Sequence, residues 1–365
     1  MKFIRRGTDR LGVGILFFGL PFLSTFSYPV AETSIGFGSC IDDKKPNHRI
    51  WNTVVQRDPD VFLFMGDNVY IDESTLRNDS TIEVFKSDYG RLGKSKGFQR
   101  LIQSETNIFA TWDDHDYGLN DSGAEFSLKA LSQKQFLNFW YSVPFDIDLP
   151  QGIFQAHFLE FFGNRIQFIL LDTRSFKSPW KRDSTWRHCR VGQVVPTEDE
   201  SKTLLGDEQW RWLESRLNQE ADLHILVSSI QVIPIDHCWE RWGGMPHERD
   251  RLIRLISQAS AQTILLSGDR HLAEASKLSA TEHGDLSIDL YEFTSSSMTS
   301  GVGFGAKEEN RYRMSDKNVR VNNFGWLTID WNREQIQVKF VSRRGRSMQE
   351  FEIPLVPAEL VHQGQ

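Results

Sequence analysis

The sequence has few cysteines, no clustering of positive charge and no low-complexity linker, and these absences exclude several classes of protein. Its 365 residues contain three cysteines, Cys40, Cys189 and Cys238, an odd number that leaves at least one unpaired. The formal net charge of −7, with Lys and Arg spread along the chain, excludes a general nucleic-acid coat, because binding to a phosphate backbone needs clustered cations. A content of 39% hydrophobic residues, including 26 Phe and 11 Trp, excludes a disordered chain.

The one long apolar run lies near the start of the chain, at residues 11–23, and predicts export. Lys2, Arg5, Arg6 and Arg10 precede it, and small residues follow it at 24–27. This order is typical of a secretory signal peptide, which we place at residues 1–30. An uncleaved membrane anchor is the alternative, although the run is shorter than the roughly 20 residues of a spanning helix. The Arg5-Arg6 pair leaves the export route open.

Beyond residue 30, short apolar runs alternate with helical patterns and indicate a layered α/β fold. Runs rich in β-branched residues predict buried strands at 35–37, 61–65, 108–112, 166–171, 223–227, 263–266 and 288–293. Helical spacing of apolar residues marks 207–219 and 249–259. The tail predicts three more strands, at 325–330, 335–341 and 349–353. With no internal repeat, residues 31–365 are expected to form one domain with a β-rich C-terminal end.

Four of the predicted strands run directly into residues that bind metals. The sequences at these exits are GSC at 38–40, GDNVYID at 66–72, DDHDYG at 113–118 and SGDRH at 267–271. Strand ends are where sites in α/β proteins are assembled. Carboxylates gathered there repel one another unless a multivalent cation lies between them. Each motif alone could be a turn or a buried thiol, but together they predict a metal cluster.

These motifs resemble those of the PhoD-like phosphatases of the metallophosphoesterase superfamily, from about residue 35 to residue 330. Further landmarks of the resemblance are LLDTR at 170–174, LLGDEQWRWLESRL at 204–217, FGWLTIDW at 324–331 and the loop sequence WERWGG at 239–244. The resemblance implies a four-layer αββα metallophosphoesterase β-sandwich. It also implies a function of the alkaline phosphatase D type, the hydrolysis of phosphomonoesters. For residues 239–244 it implies a loop over the site.

The resemblance further implies which residues hold the metals: Cys40, Asp67, Tyr70, Asp114, Asp269 and His271. Asp67 would bridge two ions. A Cys thiolate with a Tyr phenolate suits Fe³⁺, and carboxylates suit a hard divalent ion, so we expect Fe³⁺ with Ca²⁺ or another divalent ion. The histidines that common dinuclear phosphoesterases carry at some of these motifs are replaced here, and Asn120 and Asp113 are possible additional ligands or partners that support the ligands.

The chemistry expected from such a cluster is direct attack of metal-bound hydroxide on phosphorus, with no covalent intermediate. His115 would protonate the leaving oxygen, oriented by a carboxylate such as Asp116. Arg174 would either clamp a phosphate oxygen or form a structural ion pair. Two alternatives stay open: a phosphodiesterase or phospholipase-like hydrolase on the same fold, and a secreted metal-binding protein without activity.

The same observations predict the partners and the compartment of the protein. We expect a periplasmic or extracellular monomer that acts on a small-molecule phosphoester, without a stable nucleic-acid partner and without a membrane span once the signal is removed. In an oxidising compartment, Cys189 and Cys238 are expected to form a disulfide, while Cys40 stays a metal ligand.

Overall fold

The computed structural model of the protein describes residues 31–42, 44, 48–78, 81–185, 192–301 and 308–361. The first sheet contains β1 (Glu32–Gly38), β2 (Val61–Met65), β3 (Asn107–Thr111), β10 (Asn323–Asp330), β11 (Gln335–Ser342) and β12 (Ser347–Pro354). The second contains β4 (Gln155–Phe161), β5 (Asn164–Leu170), β6 (Leu223–Ser228), β7 (Thr263–Ser267), β8 (Ala273–Leu278) and β9 (Leu290–Ser295). The predicted signal peptide lies outside the described residues.

The first sheet joins strands from both ends of the chain, in the order β12-β11-β10-β1-β2-β3. β1, β2 and β3 are parallel, while β10 pairs antiparallel with β1 and leads into the antiparallel pairs β10–β11 and β11–β12. The three C-terminal strands therefore complete the sheet that the N-terminal strands begin, so the β-rich tail is part of the sandwich.

The second sheet has the order β4-β5-β6-β7-β9-β8. Its four central strands, β5, β6, β7 and β9, are parallel, and an antiparallel strand pairs with each side of this group. Parallel strands end at the same edge of a sheet, so the residues after these four strands are collected at one end of the sandwich.

The alternation of side chains along each strand builds the layers. In β2, Val61, Leu63 and Met65 point into a core shared with the second sheet, whereas Phe62 and Phe64 pack under helices on the opposite face. The strand is buried on both faces and its five residues are all apolar, as expected for a parallel strand covered on each side.

Helices cover the outer face of each sheet. Those on the first sheet are α1 (His48–Arg57), α2 (Glu73–Asn78), α3 (Ile82–Lys94), α4 (Lys96–Ile102), α5 (Asp114–Tyr117) and α6 (Lys129–Tyr141). The second sheet is covered by α7 (Gly206–Leu217) and α8 (Pro246–Ser257), whose apolar faces share a core with β5, β6 and β7. The predicted four-layer αββα sandwich is confirmed. No helix within the described ranges has the length and apolar character needed to cross a bilayer.

Candidate metal centre

The carboxyl ends of the parallel strands of both sheets meet at one end of the sandwich. The hydroxyl of Thr111, at the end of β3, donates to the carbonyl oxygen of Leu171, just beyond β5, at 2.7 Å. The amide of Gly268, just beyond β7, donates to the carbonyl oxygen of Ser229, just beyond β6, at 3.0 Å. Residues that are far apart in sequence are therefore brought to a single site.

Two glycines allow the strand exits to approach this closely. At Gly66 the backbone has φ +99°, and a β-carbon would lie 2.6 Å from Cβ of Asp113. At Gly268 a β-carbon would lie 2.5 Å from the Ser39 hydroxyl. Both distances are shorter than real contacts between heavy atoms, so any side chain here would push the exits apart.

Four of the predicted metal ligands have a left-handed backbone. Cys40, Asp67, Asp269 and His271 have φ values of 59°, 50°, 64° and 53°. This region is uncommon for residues other than glycine, and such strain is found preferentially at functional sites. The backbone therefore turns sharply at each of these four positions.

Cys40, Asp67 and His271 form the first group that could hold a metal ion, with one donor atom from each residue within 4.8 Å of the others. The Cys40 thiol lies 3.5 Å from Oδ2 of Asp67. The Tyr70 hydroxyl joins the group, 3.2 Å from Asp67 Oδ2 and 2.9 Å from Nε2 of His271. Thiol, phenol, carboxylate and imidazole thus converge on one point, and this mixture of donors is expected of a site for a transition metal.

A second group shares Asp67 with the first and adds Asp114 and His115. The backbone N–H of His115 donates to Asp67 Oδ1 at 3.3 Å and to Asp114 Oδ1 at 2.9 Å. The His115 ring is half-buried and lies on the Tyr70 ring, with centroids 4.4 Å apart. Asp67 therefore stands between the two groups, the position that a bridging ligand requires.

Asp269 reaches the cluster from the second sheet. Its carbonyl oxygen lies 3.7 Å from the Cys40 thiol. Its Oδ2 is buried and has no hydrogen-bond partner among the described residues. A buried carboxylate oxygen without a donor is costly, and a metal ion would satisfy it.

The electrostatics of the cluster call for added positive charge. Burial raises the pKa of Asp67 well above its usual range, and the charges of Cys40 and Asp114 raise it further. Burial also raises the pKa of Asp269 to about 7 despite the nearby charge of Arg270. Carboxyl groups in such surroundings are fully ionised at neutral pH only when a cation compensates them. The residues present therefore fit a metal centre.

The Cys40 thiol and the His271 ring form a charged pair. Burial alone would raise the pKa of Cys40, but the His271 charge, with hydrogen bonds from His271, Ser296 and Ser39, lowers it to about 6. Burial opposes ionisation of His271, while the Cys40 charge raises its pKa to about 9. The Ser296 hydroxyl, 3.0 Å from the thiol, was not predicted to contribute. The thiol is thus already close to its ligand form, the thiolate.

Arg174 is placed by the structure in a buried ion-pair network. Its side chain is fully buried between Asp113 and Glu240. Nε donates to Asp113 at 2.7 Å, and Nη1 donates to Glu240 at 3.0 Å and to the carbonyl oxygen of Ser122 at 3.4 Å. Nη2 contacts both carboxylates. All three nitrogens of the guanidinium are engaged, so the geometry favours the structural ion pair over the phosphate clamp.

Asp116 also differs from the expectation. Its carboxylate is fully buried and accepts the backbone N–H of Asn68 at 2.9 Å and of Asp113 at 3.0 Å. The bond from Asn68 ties the loop after β2 to the segment after β3, and the bond from Asp113 closes the turn at the start of α5. Asp116 therefore fixes the backbone that carries Asp67 and the metal-binding loops, whereas we had expected it to orient the ring of His115.

Sequence reasoning missed a third acidic group, formed by Asp114, Asp121 and Glu240. Asp121 was not singled out as a ligand, and Glu240 was considered only as part of a loop over the site. Of the two possible additional ligands, Asp113 is held by Arg174 and Ser229, and Asn120 is exposed. No spacing rule connects Glu240 to the cluster, because it arrives on a loop that follows β6.

The cysteines agree with the prediction as far as they are described. Cys40 is a free, buried thiol and Cys238 is disulfide-bonded. Cys189 lies outside the described residues, so the pairing of Cys189 with Cys238 stays a prediction.

Comparisons with known proteins show what the chain is similar to. The sequence model of the PhoD-like phosphatase family matches residues 35–340. A solved structure described as "Structure of PhoD" has a TM-score of 0.67 and 19% identity, covering 90% of this chain and 69% of that chain. A 5′-nucleotidase precursor from Thermus thermophilus, with a TM-score of 0.33 and 10% identity, covers 90% of this chain and 55% of that chain. A predicted phosphoesterase from Streptococcus pneumoniae has a TM-score of 0.30 and 11% identity, and the match covers 89% of this chain and 99% of that chain. A search of curated proteins finds no match.

The αββα sandwich, with acidic, thiol and imidazole donors collected at its strand ends, defines a phosphoric ester hydrolase with residues that can bind metal ions. The family match covers most of the chain. The chain belongs to the PhoD-like phosphatase family.

Proposed function

We propose that this enzyme releases inorganic phosphate from phosphomonoesters by direct hydrolysis, without a covalent enzyme intermediate. The observation that carries the proposal is the position of Asp67, which is shared by two adjoining groups of metal-binding side chains. A bridged pair of ions is the usual arrangement for in-line displacement at phosphorus. We assign the Cys40 thiolate to metal binding. It therefore does not act as the nucleophile that would form a covalent enzyme intermediate.

The metal-binding residues of the proposal are Cys40, Asp67, Tyr70, Asp114, Asp269 and His271. Cys40 and Tyr70 would hold Fe³⁺, because a thiolate and a phenolate suit a trivalent ion. Asp67 and Asp114 offer the oxygen ligands that suit Ca²⁺ or another hard divalent ion. When bound, such ions activate water and neutralise the charge that develops on the phosphoryl oxygens.

His115 would donate the proton to the leaving oxygen. Its backbone N–H bonds to Asp67 and Asp114 hold the main chain, while the ring lies against the Tyr70 ring at a tilt of 33°, and the residue is half-buried. A protonated imidazole beside the cluster can stabilise a departing alkoxide by general acid catalysis.

The test is a panel of phosphomonoesters and phosphodiesters, with the metal content measured on the same preparation. We expect monoesters to be the better substrates, iron to be present together with calcium or another divalent ion, and chelation to abolish turnover. A clear preference for diesters would replace the monoester assignment with the phosphodiesterase alternative. Full activity with zinc alone would overturn the iron and calcium assignment, and metal binding without any turnover would make the chain a binding protein.

We also propose that the protein works in the periplasm or outside the cell. The charged residues and apolar run within residues 1–30 support this, and so does the disulfide at Cys238, because disulfides persist mainly in oxidising compartments. Fractionation of cells that produce the full chain, with sequencing of the mature N-terminus, tests it. A protein retained in the cytoplasm with residues 1–30 intact would contradict it.

A further inference from the structure

Among the cationic residues near the metal-binding groups in the described part of the chain are Arg174, Lys177, Arg182 and Arg270, and the first three are committed to protein partners. Arg174 uses its whole guanidinium, as described above. Lys177 is fully buried, donates to the carbonyl oxygen of Asp121 at 2.9 Å and lies 4.9 Å from the ring of Trp180. Arg182 contacts the Asp121 carboxylate and donates to the carbonyl oxygen of Gly192 at 2.6 Å. The fourth cation, Arg270, is held differently.

Arg270 sits between two proposed metal ligands. Its neighbours Asp269 and His271 both have a left-handed backbone, which fixes the direction in which the loop leaves β7. The guanidinium Nη1 lies 3.6 Å from Asp269 Oδ2, the carboxylate oxygen that has no hydrogen-bond partner among the described residues. The residue is 9% exposed. A positive charge is thus fixed at the edge of the cluster.

Two residues outside the metal-binding groups hold the Arg270 guanidinium in place. Glu308 forms an ion pair with Nη2, and the Trp239 ring lies under Cζ, 4.9 Å from its centroid. The Trp239 ring is itself partly exposed. A guanidinium stacked on an aromatic ring and paired at one end keeps a single orientation, so it is preorganised for a further acceptor.

Arg270 nevertheless has unused donor capacity. Its Nε is buried and has no hydrogen-bond partner among the described residues. Nε2 of His237, also buried, is unpartnered in the same way, and the charge of Arg270 helps burial to lower the pKa of His237. Buried donors are rarely left unsatisfied in native proteins unless they serve a ligand. A buried, unused N–H on a fixed cation beside a phosphoester site indicates an anionic ligand.

We propose that Arg270 binds a non-bridging oxygen of the substrate phosphoryl group, and that Glu308 and Trp239 are positioning residues that fix its guanidinium. This inference rests on the proposed function, since it names the residue that recognises the phosphoryl group at that site. It also replaces Arg174 as the expected phosphate-binding arginine. The remaining charge of the phosphoryl group would be neutralised by the metal centre.

The test measures binding of inorganic phosphate to the metal-loaded protein by isothermal titration calorimetry, for the wild type, Arg270→Lys and Arg270→Ala. Losing a charge-assisted hydrogen bond should weaken phosphate binding about 10- to 100-fold in Arg270→Ala. Arg270→Lys keeps the charge but loses the planar fork, so its loss should be smaller, about 10-fold. With p-nitrophenyl phosphate, KM should rise in parallel, while the metal content stays at the wild-type value.

Arg313→Lys is the matched control. Arg313 is also nearly buried and ion-paired, to Glu274 at 2.6 Å, and it donates to the carbonyl oxygen of Glu308, but no contact among the described residues joins it to Asp269. Its phosphate affinity should stay at the wild-type value. Equal weakening in Arg313→Lys and Arg270→Lys would overturn the inference, because it would indicate a general loosening of the loop.

The remaining outcomes separate this inference from the proposed function. Wild-type turnover with normal phosphate affinity in both Arg270 variants would reject the role of Arg270 and leave the function intact. Phosphate binding that depends on Arg270 in a protein without turnover would reject the function and retain the role. Loss of metal ions from both Arg270 variants would make Arg270 part of cluster assembly and overturn the inference.

Discussion

Replacement of His115 by Ala separates the two roles that the geometry allows for this residue. The ring lies in the same group as Asp67 and Asp114, so it could bind a metal ion or donate a proton. The contacts that hold the loop are made by the His115 backbone N–H, and these remain in the Ala variant. The substitution therefore removes the ring and its contact with the Tyr70 ring with little effect on the path of the chain.

A proton donor matters in proportion to the basicity of the leaving group. For an alkyl phosphate, the departing alkoxide needs the proton, and loss of general acid catalysis should lower kcat by about 10²- to 10⁴-fold. For p-nitrophenyl phosphate, the leaving nitrophenolate is stable without the proton, so the loss should be far smaller. The metal content of His115→Ala should equal that of the wild type.

The assay is steady-state kinetics on both substrates, with metal analysis of the same samples. Asp114→Asn is the matched control, because a lost carboxylate ligand should deplete the cluster and depress both substrates together. If His115→Ala behaves like Asp114→Asn, with equal loss on both substrates and fewer bound ions, the general acid assignment is refuted and His115 becomes a metal ligand.

Three further predictions follow from individual side chains. Cys40→Ser should lower the affinity for iron by more than roughly 10-fold, the loss typical when only a residue that supports a metal ligand is replaced, and should affect calcium less. A variant that retains the wild-type iron content would contradict this. Arg174→Leu should lower the free energy of unfolding by about 3–5 kcal/mol in a denaturant titration, because it leaves the Asp113 carboxylate buried without its cation and Glu240 with Lys177, 3.7 Å away; a loss below about 1 kcal/mol, as expected for a surface pair, would contradict it. Burial lowers the pKa of His224 to about 4, so the unfolded chain binds the extra proton between about pH 4 and 6.5, and stability should fall as the pH drops through that window. In His224→Gln this fall should be shallower by up to about 1.4 kcal/mol per pH unit, and an unchanged slope would contradict the assignment.

The strands that the sequence predicted best are those buried on both faces. The prediction for 61–65 coincides with β2, because an uninterrupted apolar run bounded by polar residues has few other interpretations. β4 and β8 were missed. β4 (Gln155–Phe161) is largely half-buried, and β8 (Ala273–Leu278) carries the buried polar residues Glu274 and Ser276, so neither shows the apolar signal of a core strand.

The predicted metal-binding residues are local in sequence to strand ends, and the structure does bring them together. Of the residues that sequence reasoning missed, Asp121 lies just beyond the DDHDYG motif, whereas Glu240 and Ser296 arrive on loops without a regular spacing to any motif. Their proximity to the cluster depends on how the two sheets are stacked, which no local pattern encodes.

The sequence by itself determined the layered α/β class, the strand exits that carry the ligands and the family resemblance. Each of these depends on patterns among residues that are close to one another along the chain. The tertiary structure alone decided the contacts that two arginines make. Arg174 and Arg270 have the same side chain and both follow strands of the second sheet. Packing surrounds one with two carboxylates that engage all its nitrogens, and it leaves the other with a buried N–H that has no acceptor among the described residues. What an arginine can bind depends on the partners that folding brings to it, and those partners come from distant parts of the chain.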